Sequence, residues 1–175
     1  MAGASGDSGS GGFPGDAGVW RRAASGELLT LITEAARVDA GSVAGVAGLR
    51  RFGDAAEAAV ALQIAEARRR LAAKGFAAES WIADVEGAQM ASDARIARHK
   101  AERFRGLEGV ADLCCGIGAD AAALAAVCGV AEAVDLDERR CAMTAHNTGV
   151  ATRCADVSEI DSAGWTVHID PARRD

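Results

Sequence analysis

The spacing of apolar residues changes near Gly109. Before it, apolar positions recur every three or four residues, as in amphipathic helices. After it, short apolar runs alternate with helical segments, as in a parallel sheet. The segment 25–38 offers Ser25 as an N-cap and sets Leu28, Leu29, Ile32, Ala35 and Ala36 at helical spacing. Residues 39–53 contain four glycines and predict a loop with a short helical turn at 43–49. Asp54 caps a predicted helix running to about residue 73. Its buried stripe reads as Ala55, Ala58, Ala59, Leu62, Ala65 and Arg69, and Gly75 ends it. Arg68, Arg69, Arg70 and Lys74 fall in its last turns, where the helix dipole favours cations, and read as a solvated end. A third predicted helix, 87–104, places Met90, Ala94, Ala97, Ala101 and Phe104 on one face. Its basic residues Arg95, Arg98, His99, Lys100 and Arg103, continued by Arg105, read first as a solvated face and second as the wall of a substrate channel.

From Gly109 onward the strands are predicted at 110–114, 131–135, 150–154 and 165–170, with helices at 119–128 and 138–147. Asn147 or Gly149 marks the end of the second helix, and Pro171 stops the fourth strand. Residues 1–18 are rich in glycine, serine and alanine. They can bury too little surface to offset their ordering entropy, so a disordered tail is expected. The expected organisation is a tail at 1–18, a helical region at 19–106 and an α/β domain at 107–175.

Composition narrows the function. A length of 175 residues fits one domain, or a small domain with part of another, and a net charge of −6 argues against a generally basic nucleic-acid binder. No apolar run reaches the ~18 residues of a membrane span, and the N-terminus has no secretory signal pattern, so a cytoplasmic protein is expected. The five cysteines form no C-x-x-C pair and are expected to be reduced. Cys115, Cys128, Cys141 and Cys154 recur every thirteen residues. Each falls on a predicted strand or helix, where free cysteine packs as a small apolar residue, and no metal is expected.

The chemistry concentrates at the strand–turn–helix unit that begins at Val110. Gly116 and Gly118 permit a sharp turn and a close ligand approach. Gly116-Ile-Gly118-Ala-Asp-Ala121 satisfies the dinucleotide pattern G-x-G-x-x-G/A, and Asp112-Leu-Cys-Cys-Gly116-Ile-Gly118 also satisfies D-x-x-x-G-x-G. Acids recur toward successive strand ends: Asp112, Asp135 with Asp137, Asp156 and Asp170. Asp135 lies about twenty residues beyond the turn, where a carboxylate accepts from ribose hydroxyls in either kind of nucleotide site. Asp156 and Val157 suit an adenine edge and face. Asp170 and Pro171 end the strand expected beside strand one.

These residues resemble class I S-adenosylmethionine-dependent methyltransferases. Asp112-Leu-Cys-Cys-Gly-Ile-Gly118 is similar to their first motif, Val134-Asp135-Leu-Asp137 to the second, Ala155-Asp156-Val157 to the third and Asp170-Pro171 to the fourth. The resemblance covers residues 91–175. Residues 89–103, His146-Asn147 and Ile169-Asp-Pro-Ala-Arg-Arg-Asp175 resemble more closely a bacterial group with an N-terminal helical region and a C-terminal THUMP-like domain, presumed to act on RNA.

The resemblance implies a Rossmann-like α/β sheet of seven strands. Only strands one to four are present here, preceded by the helical region, so the chain is expected to be the N-terminal portion of such an enzyme. It implies S-adenosyl-L-methionine as cofactor, with Asp112, Cys114 and the Gly116 and Gly118 amides at its methionine end, Asp135 at the ribose, and Asp156 and Val157 at the adenine. Asp170 and Pro171 would be catalytic, and no metal is implied. Two alternatives are a catalytically inactive binding or assembly fragment, and an NAD-type oxidoreductase, which leaves Asp112, Asp156 and Asp170-Pro171 unexplained. One departure concerns the acceptor: related amino-methylating enzymes follow Asp/Asn-Pro with Pro and an aromatic residue, and here Ala172-Arg173 stands there.

Overall fold

A computed structural model describes residues 17–39 and 42–171. The helices are α1 (Ala17–Ala24), α2 (Leu29–Ala35), α3 (Val43–Gly48), α4 (Ala55–Ala73), α5 (Val85–Met90) and α6 (Ala94–Ala101). Then β1 (Val110–Leu113), α7 (Ala119–Ala125), β2 (Val130–Asp135), α8 (Glu138–Thr148), β3 (Thr152–Cys154) and β4 (Thr166–Ile169) follow. The four strands pair in parallel in the order β3-β2-β1-β4, a Rossmann-like α/β sheet. The switch in strand order falls between β1 and β4, where open α/β sheets bind ligands.

Local chemistry explains most element ends. Asp54 and Glu57 form a reciprocal capping box at the start of α4. Asp84, Asp93 and Asp137 cap α5, α6 and α8 through backbone amides. Gly149, at φ +71°, closes α8 in the left-handed region. β1 is buried along its whole length. Val110 packs with Ala101 and Leu124 on one face of the sheet. On the other face Ala111, Leu113 and Val134 meet Ala155, Val157, Ile160 and Val167.

The helical region departs from the sequence expectation in four places. The expected tail reaches to residue 18, yet Ala17 and Gly18 open α1, because Trp20, 1% exposed, anchors that helix in the core. The rest of the tail, residues 1–16, lies outside the described residues. Ser25 does not cap α2: its hydroxyl bonds Arg22 O and Glu27, and Gly26 at φ +88° separates two helices. The face of α4 is rotated, with Val60, Ala61, Ile64, Ala67 and Leu71 buried, and of the expected stripe only Ala58 and Ala65 fully buried. In a helix so rich in alanine the larger side chains choose the face.

The fourth departure is the predicted helix 87–104, which breaks at residues 91–93. Ala91 is extended (ψ 140°) and Asp93 restarts the chain as an N-cap. Lys74 stabilises the break, donating to Gln89 O and Ala91 O at 2.6 Å each. It is therefore not a solvated helix end, and neither is Arg68, which donates to Trp81 O at 2.8 Å. Arg69 and Arg70 pair with Glu66.

Helices and sheet share one core. Ile117 and Met143 pack in the same cluster as Trp20, Ile64 and Ile82. Asn147 joins the two parts: its Oδ1 accepts from Ile82 N at 2.8 Å, and its Nδ2 donates to Ile82 O at 2.9 Å and Ile117 O at 2.8 Å. The ring nitrogens of His146 face Ala24 O at 2.6 Å and Ser80 O at 3.0 Å. Among the described residues no strand pairs with the outer edge of β4. Val167 is nevertheless half-buried, while Ile169 stays 55% exposed.

Candidate functional site

Asp112 is the third residue of β1, buried inside the sheet layer rather than standing at the strand's open end. Its Oδ1 lies 2.9 Å from Nδ1 of buried His168 on the neighbouring strand β4. Phe104 stands edge-on to that imidazole at 5.8 Å. Among the described residues Asp112 Oδ2 has no hydrogen-bond partner. Burial pushes the Asp112 carboxyl above the ordinary carboxylate range, against the His168 hydrogen bond, and the nearby charge of Asp120 adds to the rise.

That shift fixes a sign. A carboxyl with a raised folded pKa holds its proton more tightly folded than unfolded. The stability it contributes is complete below the unfolded value of ~3.9 and is lost as pH rises toward the folded value. Asp112→Asn removes this loss. The variant is expected to gain stability relative to the wild type as pH rises above the unfolded carboxyl value of ~3.9, read by urea unfolding. A difference that does not change with pH would show that the carboxyl does not titrate there.

The turn after β1 is strained and tightly packed. Cys114 takes φ +65°, the positive value found for a non-glycine residue among those described. Gly116 (φ +58°) donates its amide to Asp135 Oδ2 at 2.9 Å and accepts from Thr144 Oγ1 at 2.9 Å. Gly118 (φ +88°) donates to Cys115 O at 2.9 Å, and a Cβ there would come within 2.9 Å of Thr148 Cγ2 and 3.2 Å of the Thr144 backbone. Both glycine amides, expected to point at a ligand, are thus engaged, one by Asp135 of β2 and the other within the turn. Burial raises the Cys115 thiol far above its usual range and pushes Cys141 up to about 12, so both are unreactive packing groups.

Asp135 at the end of β2 organises this crest: its Oδ1 also accepts from Asp137 N at 3.0 Å. Asp137 faces away, held by Arg139; burial would raise its pKa, but the Arg139 hydrogen bonds bring it below the usual range. Asp156, exposed beyond β3, accepts from Ser158 N and Ser158 Oγ. Val157 is half-buried against Leu113 and Val134. Asp170 and Pro171 are exposed just past β4. The fold therefore gathers Asp112, Gly116, Gly118 and Asp135 around one turn, with Asp170 across the β1–β4 switch and Asp156–Val157 beyond β3.

Two residues that sequence reading passed over belong to the same place. Lys100 of α6 donates to Asp170 Oδ2 at 2.7 Å and to Asp120 Oδ2 at 2.6 Å. Asp120 Oδ1, like Asp112 Oδ2, is buried without a partner among the described residues. Asp120 lies within the G-x-G-x-D run, a signal that was legible; Lys100 was hidden in a run of cations. An open cavity of about 360 Å³ lies along β4, lined by Lys100, Arg103, Phe104, His168, Ile169 and Asp170. Among the described residues no group of three metal-ligating side chains converges, and no helix is long and apolar enough to cross a membrane.

The chain is 36% identical over 135 residues to proteins from two strains of Mycobacterium tuberculosis, each named an uncharacterized S-adenosylmethionine-dependent methyltransferase. The match covers 71% of this chain and 37% of the relatives, so the chain spans little more than a third of their length. No family model and no solved structure matches it. By that identity the chain is a relative of these S-adenosylmethionine-dependent methyltransferases, and its four-stranded parallel sheet fits the Rossmann-like fold of the class I enzymes.

Proposed function

We propose that the chain carries the cofactor half of an S-adenosylmethionine-dependent methyltransferase. One observation carries the reading: among the described residues two buried carboxyl oxygens, Asp112 Oδ2 and Asp120 Oδ1, lack partners beside the glycine turn at the sheet's switch point. Unpartnered buried carboxyl oxygens suit a ligand with cationic groups, whose charge would offset the burial that raises Asp112, and this cofactor has two, an ammonium and a sulfonium. They oppose a dinucleotide, whose pyrophosphate needs free amides; the Gly116 and Gly118 amides are already engaged by Asp135 and Cys115 O.

In this reading Asp112 and the turn at Cys114, Gly116 and Gly118 surround the methionine end. Asp135 takes the ribose: each of its oxygens accepts one amide and keeps a lone pair for a hydroxyl. Asp156 and Val157 flank the adenine. Asp170, beside Pro171, accepts a hydrogen bond from an amine acceptor and orients it. The bound cofactor supplies an electrophilic methyl group; the residues contribute position and charge. RNA is the acceptor class implied by the resemblance to the THUMP-like-domain group. It is supported by exposed Arg95, Arg98, His99 and Arg103 on the helix and turn that lead from Lys100.

Calorimetric titration tests the reading. Saturable binding of S-adenosylmethionine and S-adenosylhomocysteine is expected, and none of NAD. Saturable NAD binding with neither of the others would sink it.

A further inference from the structure

We infer that Lys100 is a positioning residue that holds the Asp170 carboxylate in register with the glycine turn; the inference rests on the function proposed above. An ammonium has three N–H donors, and Lys100 has three acceptors: Ser92 Oγ at 2.8 Å, Asp120 Oδ2 at 2.6 Å and Asp170 Oδ2 at 2.7 Å. Those acceptors come from the break before α6, from α7 and from the residue after β4, segments separated by up to 78 positions in the chain (170 − 92). The Lys100 side chain is only 19% exposed. Burial opposes its charge, yet the hydrogen bonds it donates to Asp120 and Asp170 carry its pKa above the usual range, so it is a fixed cation at neutral pH.

This tripod differs from an ordinary surface pair. A mobile lysine on one exposed carboxylate constrains little. A saturated ammonium on three elements sets where Asp170 stands relative to Asp120. With Asp170 Oδ2 tied down, Oδ1 is the oxygen with no hydrogen bond among the described residues, and so the one that can accept from an incoming amine. The sequence carries Ala172-Arg173 where related enzymes place Pro and a stacking aromatic. Orientation of the acceptor then falls to the held carboxylate. Lys100 is not itself placed on the reacting atoms.

The experiment uses the 175-residue chain and two ligands measured by calorimetry: S-adenosylhomocysteine, and sinefungin, which bears an amine where the transferable methyl stands. A carboxylate held at that point favours sinefungin by about fivefold. Lys100→Met and Asp170→Asn are each expected to abolish that preference, and the double variant to lose no more. S-adenosylhomocysteine affinity should stay within about twofold throughout. A general loosening of the fold would weaken both ligands together and leave their ratio unmoved. If Lys100→Met fails to fold by circular dichroism, Lys100→Gln, which keeps two donors but not the charge, is expected to lose the preference as well. Normal S-adenosylhomocysteine binding with an unchanged ratio in the lysine variant overturns the inference alone. A wild-type chain that binds neither ligand overturns the functional reading, and with it the role of Lys100 in transfer.

Discussion

Gly87→Ala is expected to cost the fold about 3–5 kcal/mol, read as a lowered urea midpoint. A Cβ at this position would lie 1.9 Å from Arg140 Nη1, 2.4 Å from Ile117 Cγ2 and 2.8 Å from Asp84 Oδ1. The arginine end could swing away, but it is hydrogen-bonded at 2.6 Å to Asp84, whose side chain is 5% exposed. Moving it strands a buried carboxylate, and breaking a buried pair from one side is far more costly than deleting the pair. Moving Ile117 instead disturbs the turn between Gly116 and Gly118. Gly48→Ala is the control: nothing lies within 4 Å of a Cβ there, and in the last turn of α3 alanine should match or exceed glycine by up to about 1 kcal/mol. A loss below about 1 kcal/mol at Gly87 would contradict the packing of α5 on the turn.

Asp135→Ala is expected to weaken S-adenosylhomocysteine binding by about 10- to 100-fold, the worth of ~1.5–3 kcal/mol in lost charge-assisted hydrogen bonds. The damage has two origins. The carboxylate proposed for the ribose disappears, and the amides of Gly116 and Asp137 lose the acceptor that fixes the crest. Asp135→Asn separates them. It keeps one acceptor oxygen but turns an N–H toward one of the two amides, so its affinity and stability should both lie between those of alanine and wild type. Calorimetry paired with urea unfolding reads both quantities. Unchanged affinity in the alanine variant would remove Asp135 from the site.

The α/β half was legible because its signals are local. The apolar run at β1, the glycines of the turn and the stop at Gly149 each act within a few residues of where they stand. The helical half was less so. Trp20 makes α1 a helix through burial against distant residues, just after a tail rich in glycine, serine and alanine. In α4 alanine covers every side of the helix, so periodicity had little contrast from which to choose a face. Lys74 and Lys100 looked like solvent-facing cations because their partners lie 8 to 70 positions away, beyond a helical turn. Asp112 was recognised as an acid of the turn, but its depth depends on pairing with β4, and His168 beside it carried no sequence signal.

Asn147 sets a limit on how this sequence can vary. Its side chain has two donors and one acceptor oxygen, and the backbone of Ile82 and Ile117 uses all three. Aspartate would present oxygens to two carbonyls, glutamine would reach one methylene too far, and serine offers a single donor. Position 147 therefore has an alphabet of about one letter, though the residue touches no proposed ligand. Strict invariance at a residue outside the cofactor's reach would then record the joint between helices and turn, and only indirectly the chemistry that the turn serves.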